Sequence, residues 1–213
     1  FMLEVTEIYK SIQGESSHTG LPCVFVRLTG CNLRCVWCDT AHAFHGGRKM
    51  SVQDVVGKVQ SFGIGLVEVT GGEPLQQKEV FTLMDALLKE NFRVMLETGG
   101  SLSVADVPSP VIKIIDLKCP GSGEADKNHW GNLNHLSPVD EIKFVIADRA
   151  DYEWSRSALK KHELHKKSHV LFSPVSDKLN LKDLTEWILE DNLPVRLQTQ
   201  LHKQIWSKET TGV

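Results

Sequence analysis

Seven runs rich in β-branched and aliphatic residues recur along the chain, at 23–29, 66–70, 93–98, 111–118, 141–146, 169–172 and 195–199. Helical stretches separate several of them. Behind Ser51 as N-cap, Val52, Val55, Val56, Val59 and Phe62 are spaced for one buried face, and Val80, Leu83, Met84, Leu87 and Leu88 mark a second. Residues 152–164 predict a third helix, and Asn180 caps a fourth with Leu184, Trp187 and Ile188 inward. Strands alternating with helices demand right-handed crossovers and a mostly parallel α/β sheet. Six or seven such units within 213 residues are too few for a full eight-fold barrel, so an open or partial barrel is expected. Residues 3–22 and 41–47 read as loops, and 119–138, rich in Gly, Asn and His, as the most flexible segment. No repeat, low-complexity tract or linker divides the sequence, which predicts one domain over 1–213, with Phe1 before Met2 a cloning remnant.

In such sheets ligands bind beyond the carboxyl ends of the strands. Here those ends hold Cys31 after the first run, Gly71-Gly72-Glu73 after the second and Glu97-Thr98-Gly99 after the third. Asp116 and Lys118 close the fourth, and Ser173-Pro174 follow a later one. One polar end alone is ordinary turn chemistry. Several on one rim describe a ligand site. Arg27, inside an apolar run, reads either as a snorkelling side chain or as a ligand group. Cys23 alternates with apolar neighbours and reads as a core thiol, whereas His42 and His45 read as solvated loop residues.

The first strand end continues into Cys31-Asn32-Leu33-Arg34-Cys35-Val36-Trp37-Cys38, a C-x3-C-x2-C run followed by Asp39-Thr40. Three thiolates so close suit an iron–sulfur cluster, and the lack of a nearby fourth ligand leaves one iron open. A zinc site completed by a distant His or by Cys119, or three unrelated thiols, are the alternatives. Five cysteines, an odd number with three bunched, argue against a disulfide scaffold and predict a reducing cytoplasm. A net charge of −3 gives no general attraction to nucleic acid or to anionic membranes. No apolar run reaches the ~18 residues of a membrane span, and the start lacks the basic and apolar regions of a signal peptide.

An open iron can be chelated by the amino and carboxylate groups of a methionine moiety. One-electron reduction of S-adenosylmethionine (SAM) so bound gives a 5′-deoxyadenosyl radical that abstracts an unactivated hydrogen. Gly71-Gly72-Glu73-Pro74, with backbone carbonyls and a carboxylate as acceptors, suits the methionyl ammonium.

C-x3-C-x2-C together with GGEP on the next strand resembles the radical SAM superfamily. More narrowly, Ser11-Ile12-Gln13-Gly14-Glu15, Phe25-Val26-Arg27, Cys38-Asp39-Thr40, Thr70-Gly71-Gly72-Glu73-Pro74 and Glu97-Thr98 resemble the 7-carboxy-7-deazaguanine synthase family. The resemblance extends to Leu197-Gln198-Thr199-Gln200-Leu201-His202-Lys203 and covers nearly the whole chain. It implies a partial (β/α)6-like radical SAM barrel and a lyase-type enzyme of queuosine (7-deazapurine) biosynthesis, a tRNA modification pathway. The implied reaction converts 6-carboxy-5,6,7,8-tetrahydropterin to 7-carboxy-7-deazaguanine with release of ammonia, using a [4Fe-4S] cluster, SAM and Mg2+.

Carried onto matching positions, Cys31, Cys35 and Cys38 hold the cluster. Trp37 and Asp39 lie near the adenosine, and Gly72 and Glu73 meet the methionyl end, with further SAM contacts from Thr98, Asp116, Leu117, Lys118, Ser173, Pro174 and Val175. Ile12, Gln13, Gly14, Arg27 and Thr70 bind the pterin, Val213 reaches it with the terminal carboxylate, and Thr40 ligates Mg2+. A glutamine amide matches the donor–acceptor edge of a pterin, and an arginine pairs bidentately with a carboxylate. Asp39 is by chemistry the more obvious Mg2+ ligand, and only the resemblance favours Thr40. An electron donor such as flavodoxin or ferredoxin is implied, and a homodimer is compatible.

Departures limit the transfer. Asp116-Leu117-Lys118 stands where many family members have Ser-Pro-Lys, Ser173-Pro174 replaces a Gln-Pro pair, and the tail runs on to Val213. A glycyl-radical activase shares both motifs, but Gln13-Gly14-Glu15 with Arg27 suits a small carboxylated heterocycle better than a protein chain. A non-catalytic zinc-binding module is the alternative from another class.

Overall fold

A computed structural model of the chain describes residues 2–206 together with Thr210 and Gly212. Nine strands form one sheet in the order β3-β1-β2-β4-β5-β6-β7-β8-β9 among the described residues. They are β1 (Met2–Ile12), β2 (Pro22–Leu28), β3 (Arg48–Ser51), β4 (Leu66–Gly71), β5 (Arg93–Thr98), β6 (Ile112–Asp116), β7 (Glu141–Ile146), β8 (His169–Pro174) and β9 (Arg196–Leu197). From β2 through β9 every neighbouring pair is parallel, while β1 runs antiparallel to both β2 and β3. The terminal strands β3 and β9 do not pair, so the sheet curls into an open partial barrel, as the alternation predicts.

Local signals place the helices. Ser51 accepts from the Asp54 backbone N–H while the Asp54 carboxylate answers the Ser51 N–H, a capping box that starts α1 (Val52–Gln60). Asn180 caps α4 (Leu181–Glu190) through the N–H of Lys182, and Asp148 caps α3 (Arg149–Lys161) through that of Asp151. α2 (Glu79–Lys89) buries Val80, Leu83, Met84 and Leu87, and a single turn, α5 (His202–Ile205), follows β9.

Several expectations are corrected. Residues 3–22 are not one loop, because β1 occupies the first half of that stretch; its apolar alternation is interrupted by a register shift between Val5 and Glu7. β3 is a short polar edge strand with no apolar pattern to announce it. The crossovers β5–β6 and β6–β7 contain no α-helix, only irregular chain and 3-10 turns. Residues 119–138, expected to be flexible, are instead packed. The Asn128 amide brackets the backbone of Lys118 on both sides, the Asn132 amide bonds Val104 N and Leu102 O, Leu133 is buried, and Trp130 stacks on His162.

The sheet has two unlike faces. Outward-facing Val67, Val69, Val94, Leu96, Ile142, Phe144 and Ile146 join α1 to α4 in one extensive apolar core. Inside the barrel a small plug of Cys23, Phe25, Leu66, Met95, Ile112 and Ile114, with Tyr9 against it, closes the end formed by the strand starts. Burial raises the Cys23 thiol, as suits a core cysteine. Above the plug the inward positions turn charged.

Candidate active site

A cavity of about 650 Å³ opens above that plug, at the carboxyl ends of the strands, within the size range of small-molecule sites. One side of it is the cysteine loop. Gly30 adopts φ +95°, which turns the chain out of β2, and its N–H donates to Ala43 O at 2.8 Å. The Cys38 N–H bonds Cys35 O at 3.2 Å, Val36 N–H bonds Ser122 O at 3.0 Å, and Arg34 bonds the carbonyls of Cys31 and Leu33 while stacking over Phe44. Cys31, Cys35 and Cys38 all line the cavity. Burial raises the Cys31 and Cys35 thiols; the nearby Lys118 ammonium opposes this and favours the thiolates that iron requires.

The GGEP segment closes against this loop. A Cβ on Gly72 would lie 2.4 Å from Gly30 O and 2.6 Å from the Cys31 Cβ, so only glycine permits the contact. Glu73 behaves differently from the expectation for it. It is fully buried and does not line the cavity. Its carboxylate accepts from Thr98 Oγ1 at 2.8 and 2.9 Å, from Gly99 N at 2.8 Å and from Leu75 N at 3.0 Å. Burial raises its pKa against the pull of those donors. Glu73 therefore ties β4 to β5, and the cavity presents Gly71, Gly72, Thr98 and Gly99 at this point.

Asp116 and Lys118 face the cavity, 2.9 Å apart, and Asp116 Oδ1 is buried without a hydrogen-bond partner. Leu117 points the other way into the apolar core, so any contact it makes with a ligand there is through its backbone. Ser173, Pro174 and Val175, at the end of β8, line the same rim, as does Trp37, under the Lys178 ammonium. Asp39 lines the cavity but its carboxylate is engaged, by Lys203 Nζ at 2.8 Å, Gln200 Nε2 at 3.4 Å and Thr40 Oγ1 at 2.9 Å. Burial would raise Asp39, yet Lys203 and these hydrogen bonds hold it well below the usual carboxylate range.

The opposite side is built by β1, β2 and the loop after β1. Arg27 donates to Glu7 Oε1 at 2.8 Å, Tyr9 Oη at 3.2 Å and Gly71 O at 3.4 Å, which pins the guanidinium and leaves further N–H donors for an anion. Burial works against its charge, but Tyr9 and Glu7 outweigh that and its pKa rises. Ile12, Gly14 and Thr70 line the cavity beside it. Gln13 also lines it, but its amide is spent within the protein: Nε2 donates to Glu68 and Oε1 accepts from Glu15 N at 3.2 Å. The C-terminal segment roofs this side, with Leu201 N–H on Gly14 O at 2.9 Å, and Thr210 and Gly212 lining the cavity. Val213 lies outside the described residues.

Glu68 and Lys143, charged residues on strand interiors, are missed from the sequence, whereas Glu97 and Glu15 enter there only within their motifs, with no site role of their own. Glu68, Glu97 and Lys143 line the cavity, with Glu15 at its edge. Lys143 Nζ contacts Glu97 directly and lies 3.5 Å from Glu15 and 3.8 Å from Asp116. A glutamate or lysine at an alternating position of an otherwise apolar run is the signal that marks them. His42, expected to be solvated, lines the cavity 3.4 Å from Glu7.

The residues present fit an iron–sulfur cluster with SAM. Three cysteines edge one cavity, and a glycine cradle abuts Cys31. A mononuclear zinc centre fits less well: Cys119, its candidate fourth ligand, is buried against Ser155 and does not line the cavity. The sequence profile of the Radical SAM superfamily matches residues 25–121. The open parallel barrel and its cysteine rim thus define a radical SAM enzyme. The chain is 50% identical to a 7-carboxy-7-deazaguanine synthase of Koribacter versatilis, covering 99% of this chain and 100% of that protein. Identity to the synthase of Chlorobaculum tepidum is 45%, covering 99% and 97%. The chain belongs to the 7-carboxy-7-deazaguanine synthase family, a lyase-type group whose cofactors are a [4Fe-4S] cluster and SAM. Its fold matches the crystal structure of QueE from Escherichia coli with a TM-score of 0.79 at 24% identity, covering 94% of this chain and 95% of that one. No helix among the described residues is long and apolar enough to cross a membrane.

Proposed function

We propose that this chain converts 6-carboxy-5,6,7,8-tetrahydropterin to 7-carboxy-7-deazaguanine, releasing ammonia, within the cavity between the cysteine loop and Arg27. When bound, the cluster and SAM supply the one-electron cleavage that generates the hydrogen-abstracting radical. The chain's own residues supply position and exclusion of water. Cys31, Cys35 and Cys38 hold the cluster, and Trp37, Gly72, Thr98, Asp116, Lys118 and the Ser173–Val175 rim shape the SAM half of the cavity. Arg27 receives the substrate carboxylate, and Ile12, Gly14 and Thr70 border the ring.

The observation that carries this reading is the immobilised Arg27, held by three partners on the far side of the same cavity that the cysteines edge. Thr40 is the proposed Mg2+ ligand. Its hydroxyl donates its proton to Asp39 at 2.9 Å, which leaves oxygen lone pairs for a hard cation that keeps most of its waters. A flavodoxin- or ferredoxin-like protein delivers the electron, and Val36, 68% exposed on the cysteine loop, offers it an apolar contact. Five free cysteines and no disulfide among the described residues accord with a reducing cytoplasm.

Anaerobic incubation of the reconstituted protein with SAM, reductant, Mg2+ and the carboxylated tetrahydropterin should yield the deazaguanine. Cleavage of SAM with no such product would show the substrate to be wrong. Thr40→Ala should slow turnover and be partly restored by excess Mg2+; indifference to Mg2+ at all levels removes Thr40 from the metal site.

A further inference from the structure

The floor of the substrate half of the cavity holds more acid than base. Arg27 pairs with Glu7, Lys118 with Asp116, and Lys143 with Glu97. Glu15 shares Lys143 more distantly, at 3.5 Å. Glu68 has no ion-pair partner among the described residues, although it is only 3% exposed. A carboxylate buried without a cation is costly enough that such a group takes up a proton instead.

Two neighbours show where that proton goes. On one side Glu68 Oε2 accepts from the Gln13 amide, which is itself fixed by the Glu15 N–H. On the other side stands Glu97, two residues beyond Met95, which is the register partner of Glu68 on β5, and both side chains line the cavity. Two carboxyl groups so placed can bond only if one of them is protonated. Lys143 touches Glu97, so Glu97 keeps the charge and Glu68 keeps the proton.

We infer that Glu68 is a protonated positioning residue of the substrate pocket, whose carboxyl donates to Glu97 and so aims that carboxylate into the cavity. This rests on the pterin reading of the cavity but assigns a role that Arg27 and the cysteines do not fill. A flat heterocycle with ring N–H groups needs an oriented acceptor, and its carboxylate tolerates a floor that carries one negative charge less. Burial raises Glu68, and Glu97 and Glu15 add to the effect, while Gln13 opposes it. The other ionisable groups around it are Arg27 from β2, Tyr9 from β1, Lys143 from β7, Asp116 from β6 and the Cys23 thiol. Of these only Lys143 and Arg27 carry positive charge, and each is paired elsewhere.

Glutamine reproduces the neutral form, with an amide N–H for Glu97 and a carbonyl for Gln13. Glu68→Gln should therefore hold kcat/KM within roughly threefold of the parent while losing the decline at high pH that ionisation of Glu68 imposes. Glu68→Leu, which supports neither contact, should lower kcat/KM by about 100-fold through misplaced substrate. The infrared spectrum of the substrate-free protein supplies a readout independent of turnover. A neutral-carboxyl carbonyl band should persist at pH values above the one near which Glu15 ionises, about 7, and vanish there in Glu68→Gln.

Absence of that band, or its survival in Glu68→Gln, overturns the inference whether or not the pterin is the substrate. A folded Glu68→Gln as impaired as Glu68→Leu also overturns it, because Glu68 would then act as a carboxylate. If Glu68→Leu fails to fold, the band and the pH profile of Glu68→Gln still decide. Failure of the parent to make the deazaguanine, with the band intact, faults the substrate and leaves the shared proton standing.

Discussion

Strands β4, β5 and β7 each carry two faces with opposite duties. Outward, Val67, Val69, Val94, Leu96, Ile142, Phe144 and Ile146 pack with the helices, and burial of their apolar area stabilises the fold. Inward, Glu68, Glu97 and Lys143 occupy alternate positions of the same strands and line one cavity, where Lys143 pairs with Glu97. Desolvating such groups roughly cancels their mutual attraction, so the inner face adds little stability and instead provides fixed, oriented charge. Parallel strands are usually apolar on both sides. The departure is confined to the half of the barrel nearest the cavity, since the other half is plugged by Phe25, Leu66, Met95, Ile112 and Ile114.

The contrast can be broken most forcefully from outside. Phe144 is fully buried, edge-on to Phe172 and Trp154, and Phe144→Ala should cost about 3–5 kcal/mol in denaturant unfolding. Turnover per folded molecule should stay near that of the parent; a large loss would mean the two faces are coupled. From inside, Lys143→Met strands Glu97 and Glu15 without their cation and should cost about 3 kcal/mol as well as most activity. Adding Glu97→Leu should restore much of the stability and none of the activity. Restoration of both would deny the inner face its catalytic duty.

Arg27→Lys keeps the charge but loses the forked geometry, and should raise KM for the pterin by roughly tenfold with a smaller change in kcat. Equal effects on both would instead place Arg27 at the reacting bond. The smallest effect concerns pH. Burial raises Glu15 to about 7, against the pull of Lys143. A carboxyl raised on folding favours the fold below its unfolded value of about 4.5, and that advantage disappears as pH climbs through about 7. Glu15→Gln should therefore flatten the fall in melting temperature between about pH 5 and pH 8. An unchanged slope would show that another group titrates there.

Legibility followed the range of the interactions. Ser51 and Asn180 could be read as caps because each acts on backbone two or three residues away. The cysteine loop was equally readable, its three thiols falling between 31 and 38. β1 was obscured because Glu7 and Tyr9 face the cavity and a register shift interrupts its alternation. Residues 119–138 looked mobile from their composition, yet Asn128 and Asn132 spend their amides on neighbouring backbone, a use that composition does not reveal.

The sequence by itself determined the strand–helix alternation, the caps, the cysteine spacing and the family, since each depends on short spacings or on local motifs. Only the tertiary structure decided what the polar strand ends do. It turned Glu73 inward to Thr98 and Gly99, sent Leu117 into the core, spent the Gln13 amide on Glu68, and brought Glu15, Glu97 and Asp116 around Lys143. Charge pairing across a barrel joins residues far apart in sequence, 128 positions for Lys143 and Glu15 and 164 for Lys203 and Asp39. Which of two carboxyls keeps a proton depends on the cation beside it, and that neighbour exists only once the strands have closed around the cavity.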